Sequence, residues 1–153
     1  MIEASAGERA ALALRFGVIA IDRLIATVTL SEHTRAILAE GNLEVDLTQA
    51  CAVSGEDLPQ HIAEPLAMRF VAAGGNPASE EIDLEIDSSE IDEIEYEGDS
   101  FDLGEAVAQT LALAIDPYAV GPQAEAARRD AGITGDDTPT GPLADALRAL
   151  RGN

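Results

Sequence analysis

Lysine is missing from this chain, and so is tryptophan. Nine arginines carry all the fixed positive charge against 29 acidic residues, a formal net charge of -20 on 153 residues. Nucleic-acid affinity comes largely from Lys and Arg neutralising phosphates, so a bare phosphate backbone is a poor direct partner. Self-repulsion also keeps polyanions away. Aromatic residues make up 3% of the chain, so a core must be built from Ala, Leu, Ile and Val. No stretch reaches the roughly eighteen apolar residues of a spanning helix. The opening Met-Ile-Glu-Ala-Ser-Ala-Gly-Glu has neither a basic nor an apolar leader region, so no secretory signal is expected. One cysteine, Cys51, cannot form an intramolecular disulfide, and a reducing cytoplasm is the expected location.

With 46% hydrophobic residues, the chain has enough apolar surface to fold. Its length fits one domain. The expected organisation is a single α+β domain over 1–119 with an acidic segment at 80–105, then a linker and short helix over 120–153. Residues 80–105 hold thirteen acidic side chains and no basic one. Such a run reads either as a solvated loop or as a docking surface for a cationic partner: a basic protein, a basic peptide or metal ions. Glu90, Asp92, Glu93, Glu95 and Glu97 are the candidate partner-binding residues.

Local patterns give the elements. Residues 5–17 read as a short helix, with Leu12, Leu14 and Phe16 among alanines and Gly17 at its end. Residues 21–30 alternate as a strand, with Leu24, Ala26, Val28 and Leu30 on one face. Residues 34–39 and 43–50 flank Glu40-Gly41-Asn42, which reads as a hairpin turn. In the second arm Leu43, Val45, Leu47 and Gln49 face one way, and Glu44, Asp46 and Thr48 face the other, a half-buried antiparallel pattern. Ser54-Gly55-Glu56-Asp57 is a turn. Residues 60–72 form a strand whose Pro65 indicates an edge or bulge. The result is an antiparallel meander of about four strands. Ile82, Leu84 and Ile86 have period two, whereas Ile91 and Ile94 drift towards a helical spacing, leaving strand and helix both open there.

Residues 102–115 read as a helix that covers the sheet. Asp102 caps it, Glu105 completes a capping box, and Asp116-Pro117 stops it. Leu103, Val107, Leu111 and Ala114 form its apolar stripe, widened by Ala106, Thr110 and Leu113. Residues 120–140 look like a loosely packed linker, and 142–151 like a last short helix.

Few groups offer chemistry. Cys51 has no recognisable catalytic base, and neither His33 nor His61 sits in a catalytic setting. One Cys and two His fall short of a structural zinc site. There is no phosphate-binding loop, no dinucleotide fingerprint and no nucleophile elbow. No cofactor and no enzymatic activity are expected. Arg128 and Arg129 are weak candidates for RNA contact, with intramolecular pairing as the plainer alternative.

Four stretches together resemble one bacterial family. They are Glu8-Arg9-Ala10-Ala11-Leu12-Ala13 with Ile21-Asp22-Arg23-Leu24; Leu47-Thr48-Gln49-Ala50-Cys51-Ala52-Val53-Ser54 with Ile62-Ala63-Glu64 and Arg69-Phe70; Phe101-Asp102-Leu103-Gly104-Glu105 with Leu111 to Tyr118; and Pro142-Leu143-Ala144 with Leu147 and Leu150-Arg151. This pattern resembles the YceD-like family. The resemblance implies a cytoplasmic, non-enzymatic role in accumulation of large-subunit (23S) ribosomal RNA and in ribosome biogenesis. Taken with the acidic run, the expected partner is a basic protein, such as a ribosomal protein or ribonucleoprotein. The alternatives are direct RNA binding through the sheet face and C-terminal arginines, or a small metal- or thiol-dependent protein using Cys51. Ser54 stands where many relatives have a second cysteine, and Leu143 and Arg151 depart from the relatives' C-terminal motif.

Overall fold

The computed structural model describes residues 1–33, 36–73, 91–133 and 141–142. It divides into two compact units: residues 1–50 with 57–117, and residues 51–56 with 118–153. The first unit is α+β. Its sheet has five strands in spatial order β1 (Ile2–Glu3), β2 (Ala20–His33), β3 (Ala36–Ala50), β4 (Asp57–Ala72) and β5 (Asp92–Tyr96). The first three pairings are antiparallel, and β5 lies parallel to β4. The α+β class and the mostly antiparallel sheet are as expected; the meander itself is β2–β3–β4, and β1 and β5 extend it at its two sides.

Gly41 is not in a turn. β3 runs unbroken through it, with Val28 as its partner on β2 and Leu66 on β4. A Cβ at Gly41 would overlap the carbonyl oxygen of Thr27, and would lie 2.8 Å from the Thr27 carbonyl carbon. The glycine serves close backbone approach between two strands rather than chain reversal. β2 and β3 pair antiparallel as far as His33 and Ala36.

The core lies on one face of this sheet. Leu24, Ala26, Leu43, Val45, Leu47, Leu66, Met68 and Phe70 are buried there. Burying one such large side chain contributes about 1.5–3 kcal/mol. A register shift between Ile21 and Arg23 lets Ile21 and Leu24 both face inward despite their odd spacing. Phe70 stacks on Phe101, ring centroids 4.0 Å apart, and Tyr96 packs obliquely on the same ring. Three of the chain's five aromatic residues thus gather at one point.

Two helices cover this core. In α1 (Ala6–Phe16), Ser5 and Glu8 form a reciprocal capping box, and Gly17 ends the helix in the left-handed conformation at φ 69°. In α2 (Leu103–Ala114), Ala106, Val107 and Leu111 enter the core. Leu14 and Leu113 do not: both are largely exposed, on the outer sides of their helices. Asp102 accepts the Glu105 N–H at 2.9 Å as expected, but the Glu105 side chain does not return to Asp102. It meets Arg15 of α1 through two 2.7 Å hydrogen bonds. A bidentate guanidinium outcompetes the second half of a capping box.

In the second unit, a helix α3 (Ala124–Asp130) stands where the sequence reads as linker. The expected helix at 142–151 and the alternating run at 82–86 fall almost wholly outside the described residues.

Candidate partner-binding face

The sheet face opposite the core is built by the alternate residues of every strand. Its carboxylates are Glu3, Glu40, Glu44, Asp46, Asp57, Glu93 and Glu95, while Arg23 and Arg69 are its only arginines among the described residues. Arg23 reaches Glu44 at 2.7 Å and Asp46 at 3.6 Å. His61 Nδ1 lies 2.7 Å from Asp46. That hydrogen bond, aided by Arg23, holds the Asp46 carboxyl below its ordinary range. Arg69 pairs with Glu93 at 3.0 Å and lies alongside Leu38, which is buried on this face. The positive groups are consumed locally and a surplus of negative charge remains.

The candidate residues of the acidic run do not form one patch. Strand alternation in β5 divides them. Glu93 and Glu95 point to the outer face, opposite Arg69 and Val71. Asp92 and Ile94 share the core side, where Ile94 packs and Asp92 remains exposed at the rim. Glu97 follows the strand and is exposed, and Glu90 lies outside the described residues. Period-two spacing of Ile94 and Tyr96 settles this segment as strand. The sequence reading passed over Glu40, Glu44 and Asp46, which complete the face. The wet side of the 43–50 alternation signals Glu44 and Asp46, whereas Glu40 is hidden by the turn-like Glu40-Gly41-Asn42.

The weak RNA candidates lie in α3. Arg128 pairs with Glu125 one turn earlier, at 2.5 Å, and Arg129 is exposed. Across the described residues, Arg15, Arg23, Arg69 and Arg128 are ion-paired, and Arg9 donates to the Ala4 carbonyl at 2.7 Å.

Cys51 opens the second unit, buried in a cradle of backbone. Its Sγ accepts the N–H of Gly121 at 3.3 Å and of Ser54 at 3.4 Å. Ala52 N–H bonds the Ala119 carbonyl at 3.0 Å, tying the two segments of the cradle together. These donors favour the thiolate, that of Gly121 most, and draw the thiol down to about 6. No group of three or more His, Cys, Asp or Glu residues suited to a metal ion occurs among the described residues. No described helix is long and apolar enough to cross a membrane.

The fold and this face define a small, strongly acidic α+β protein with a sheet face rich in carboxylates among the described residues. Residues 39–147, well over half the chain, match the family model described as large ribosomal RNA subunit accumulation protein YceD. The chain belongs to that family, and its role is accordingly linked to accumulation of large-subunit ribosomal RNA. No curated protein and no solved structure matches it.

Proposed function

We propose that this chain is a non-enzymatic, cytoplasmic factor in accumulation of 23S ribosomal RNA that acts by holding a basic protein partner, a ribosomal protein or ribonucleoprotein, on its acidic sheet face. The observation that carries this reading is the distribution of charge. Among the described residues, carboxylates outnumber arginines on the sheet face opposite the core, and both arginines there are already paired. A surface of this kind steers cationic partners inward and repels RNA. A bound basic protein would be shielded from premature contact with RNA until assembly.

The test is a salt-titrated pull-down of proteins extracted from large ribosomal subunits. The parent is compared with a variant carrying Glu40→Lys, Glu44→Lys, Glu93→Lys and Glu95→Lys. Capture that falls with salt and is lost in the variant supports the proposal; unchanged capture removes it. Depletion in the host should reduce the large-subunit peak on sedimentation. Direct RNA binding, abolished by loss of Arg128 and Arg129, is the outcome that would favour the alternative.

A further inference from the structure

We propose that the outer edge of β2, from Thr27 to His33, is a strand-addition site that takes an extended basic segment of the partner. This deepens the functional reading above and rests on it.

Backbone direction alternates along a strand. Ala4 N–H bonds the Leu24 carbonyl at 3.1 Å, so Leu24 presents its backbone towards β1. The Thr27 carbonyl instead lies against Gly41 on β3. By the same alternation, Val28, Leu30 and Glu32 turn their N–H and C=O groups away from β3. β1 pairs only with Ile25 and Ala26. Among the described residues, nothing pairs with the backbone of Val28, Leu30 and Glu32 on that side.

Open edges are normally guarded by proline, inward charge or a bulge. The other open stretch of this sheet follows that rule: β4 is paired by β5 only from Met68 to Ala72, and its earlier part carries Pro59 and Pro65. From Thr27 to His33 the β2 edge carries no proline and no bulge, and Leu30 is 49% exposed there; its one guard is Glu32, which the register places on the core side with Ile37 and Phe70. Among the described residues it is a regular strand with no pairing partner on that side.

Charge selects the occupant. Glu32 lies in the edge, and Glu40 lies opposite Thr29 on the next strand. A second copy would bring another -20 of formal charge against the first. A cationic segment is attracted instead. Strand alternation then specifies its pattern: apolar side chains beside Val28 and Leu30, and Lys or Arg between them, reaching over Thr29 towards Glu40.

The experiment uses the full chain and a synthetic eight-residue peptide alternating Val or Ile with Lys or Arg. A second peptide has the same sequence with every other amide N-methylated, which keeps the charge and removes pairing on one edge. We expect amide exchange at Val28, Leu30 and Glu32 to slow on binding the first peptide. The methylated peptide should bind about tenfold or more weakly, the loss of two or three backbone hydrogen bonds. Leu30→Pro should weaken binding similarly, whereas Leu30→Ala, which keeps the N–H, should not; matched thermal melts establish that both are folded. Equal binding of the two peptides, or no binding of either at low salt, would overturn the edge site. Concentration-dependent dimerisation that protects the same amides without peptide would overturn the assigned occupant. The acidic-face reading fails separately, through the charge-reversed variant.

Discussion

Replacing Gly41 by alanine tests the least expected contact in the sheet. The added Cβ would overlap the Thr27 carbonyl oxygen and sit 2.8 Å from its carbon and 3.0 Å from Val28 Cα. These are backbone atoms, so no side chain can swing aside. β2 and β3 must separate locally. Overpacking of this kind costs about 1–3 kcal/mol. Losing one or two ladder hydrogen bonds adds about 0.5–1.5 kcal/mol each. The expected destabilisation is about 2–5 kcal/mol, or about 4–20 °C in Tm for a chain of this size. Gly41 is not among the glycines with positive φ, so backbone strain on alanine contributes nothing. Thermal denaturation followed by circular dichroism at neutral pH measures the change. Gly41→Asn gives the sharper contrast: asparagine is at home in a hairpin turn but carries the same offending Cβ. A Tm for Gly41→Asn within about 2 °C of the parent would refute close strand approach and restore the turn.

Three other outcomes follow from the geometry. Thiolate absorbance at 240 nm should titrate with a midpoint of about 6 in the folded protein and near 9.0 once unfolded; because the folded value is the lower one, Cys51 adds stability that is complete above the unfolded value and is lost as pH falls through about 6, and a folded midpoint above 8 would dismiss the N–H cradle. The Glu105 carboxyl is held down to about 2 chiefly by its hydrogen bond from Arg15, so its contribution is complete above the ordinary glutamate range and is lost as pH falls towards 2; a side-chain carboxyl NMR titration should show its midpoint returning upward in Arg15→Ala, and no movement would contradict the ion pair. Phe70→Ala empties a site only 1% exposed and removes the stacking on Phe101, for an expected loss of about 3–5 kcal/mol by denaturant unfolding; a loss under about 1 kcal/mol would mean the aromatic cluster is not packed as described.

Partner choice in a molecule this acidic is set by where its few arginines are spent. Arg15 joins two helices, Arg23 and Arg69 neutralise acids on the sheet face, and Arg128 is tied within its own helix. None of these four is left free to hold a phosphate. The family assignment links the chain to accumulation of large-subunit ribosomal RNA, and the charge distribution is what the proposed cationic partner rests on.

What the residue order determined alone was whatever depends on neighbours a few positions apart. Ser5 with Glu8 starts α1, Gly17 ends it, Asp102 starts α2, and Leu43, Val45, Leu47 and Gln49 mark the inner side of β3. Caps and alternation act through local backbone geometry, so they are legible before folding. What the tertiary structure decided depends on groups distant in the chain. Gly41 looks like a turn until Thr27 is placed beside it. Glu105 looks like a cap until Arg15 arrives from ninety residues away. The acidic run looks like one patch until pairing with β4 sends its members to opposite faces. The thiol of Cys51 acquires its low proton affinity only when Gly121 closes over it. In each case the local preference was real but worth about a kilocalorie per mole, and a long-range contact of equal or greater strength displaced or completed it.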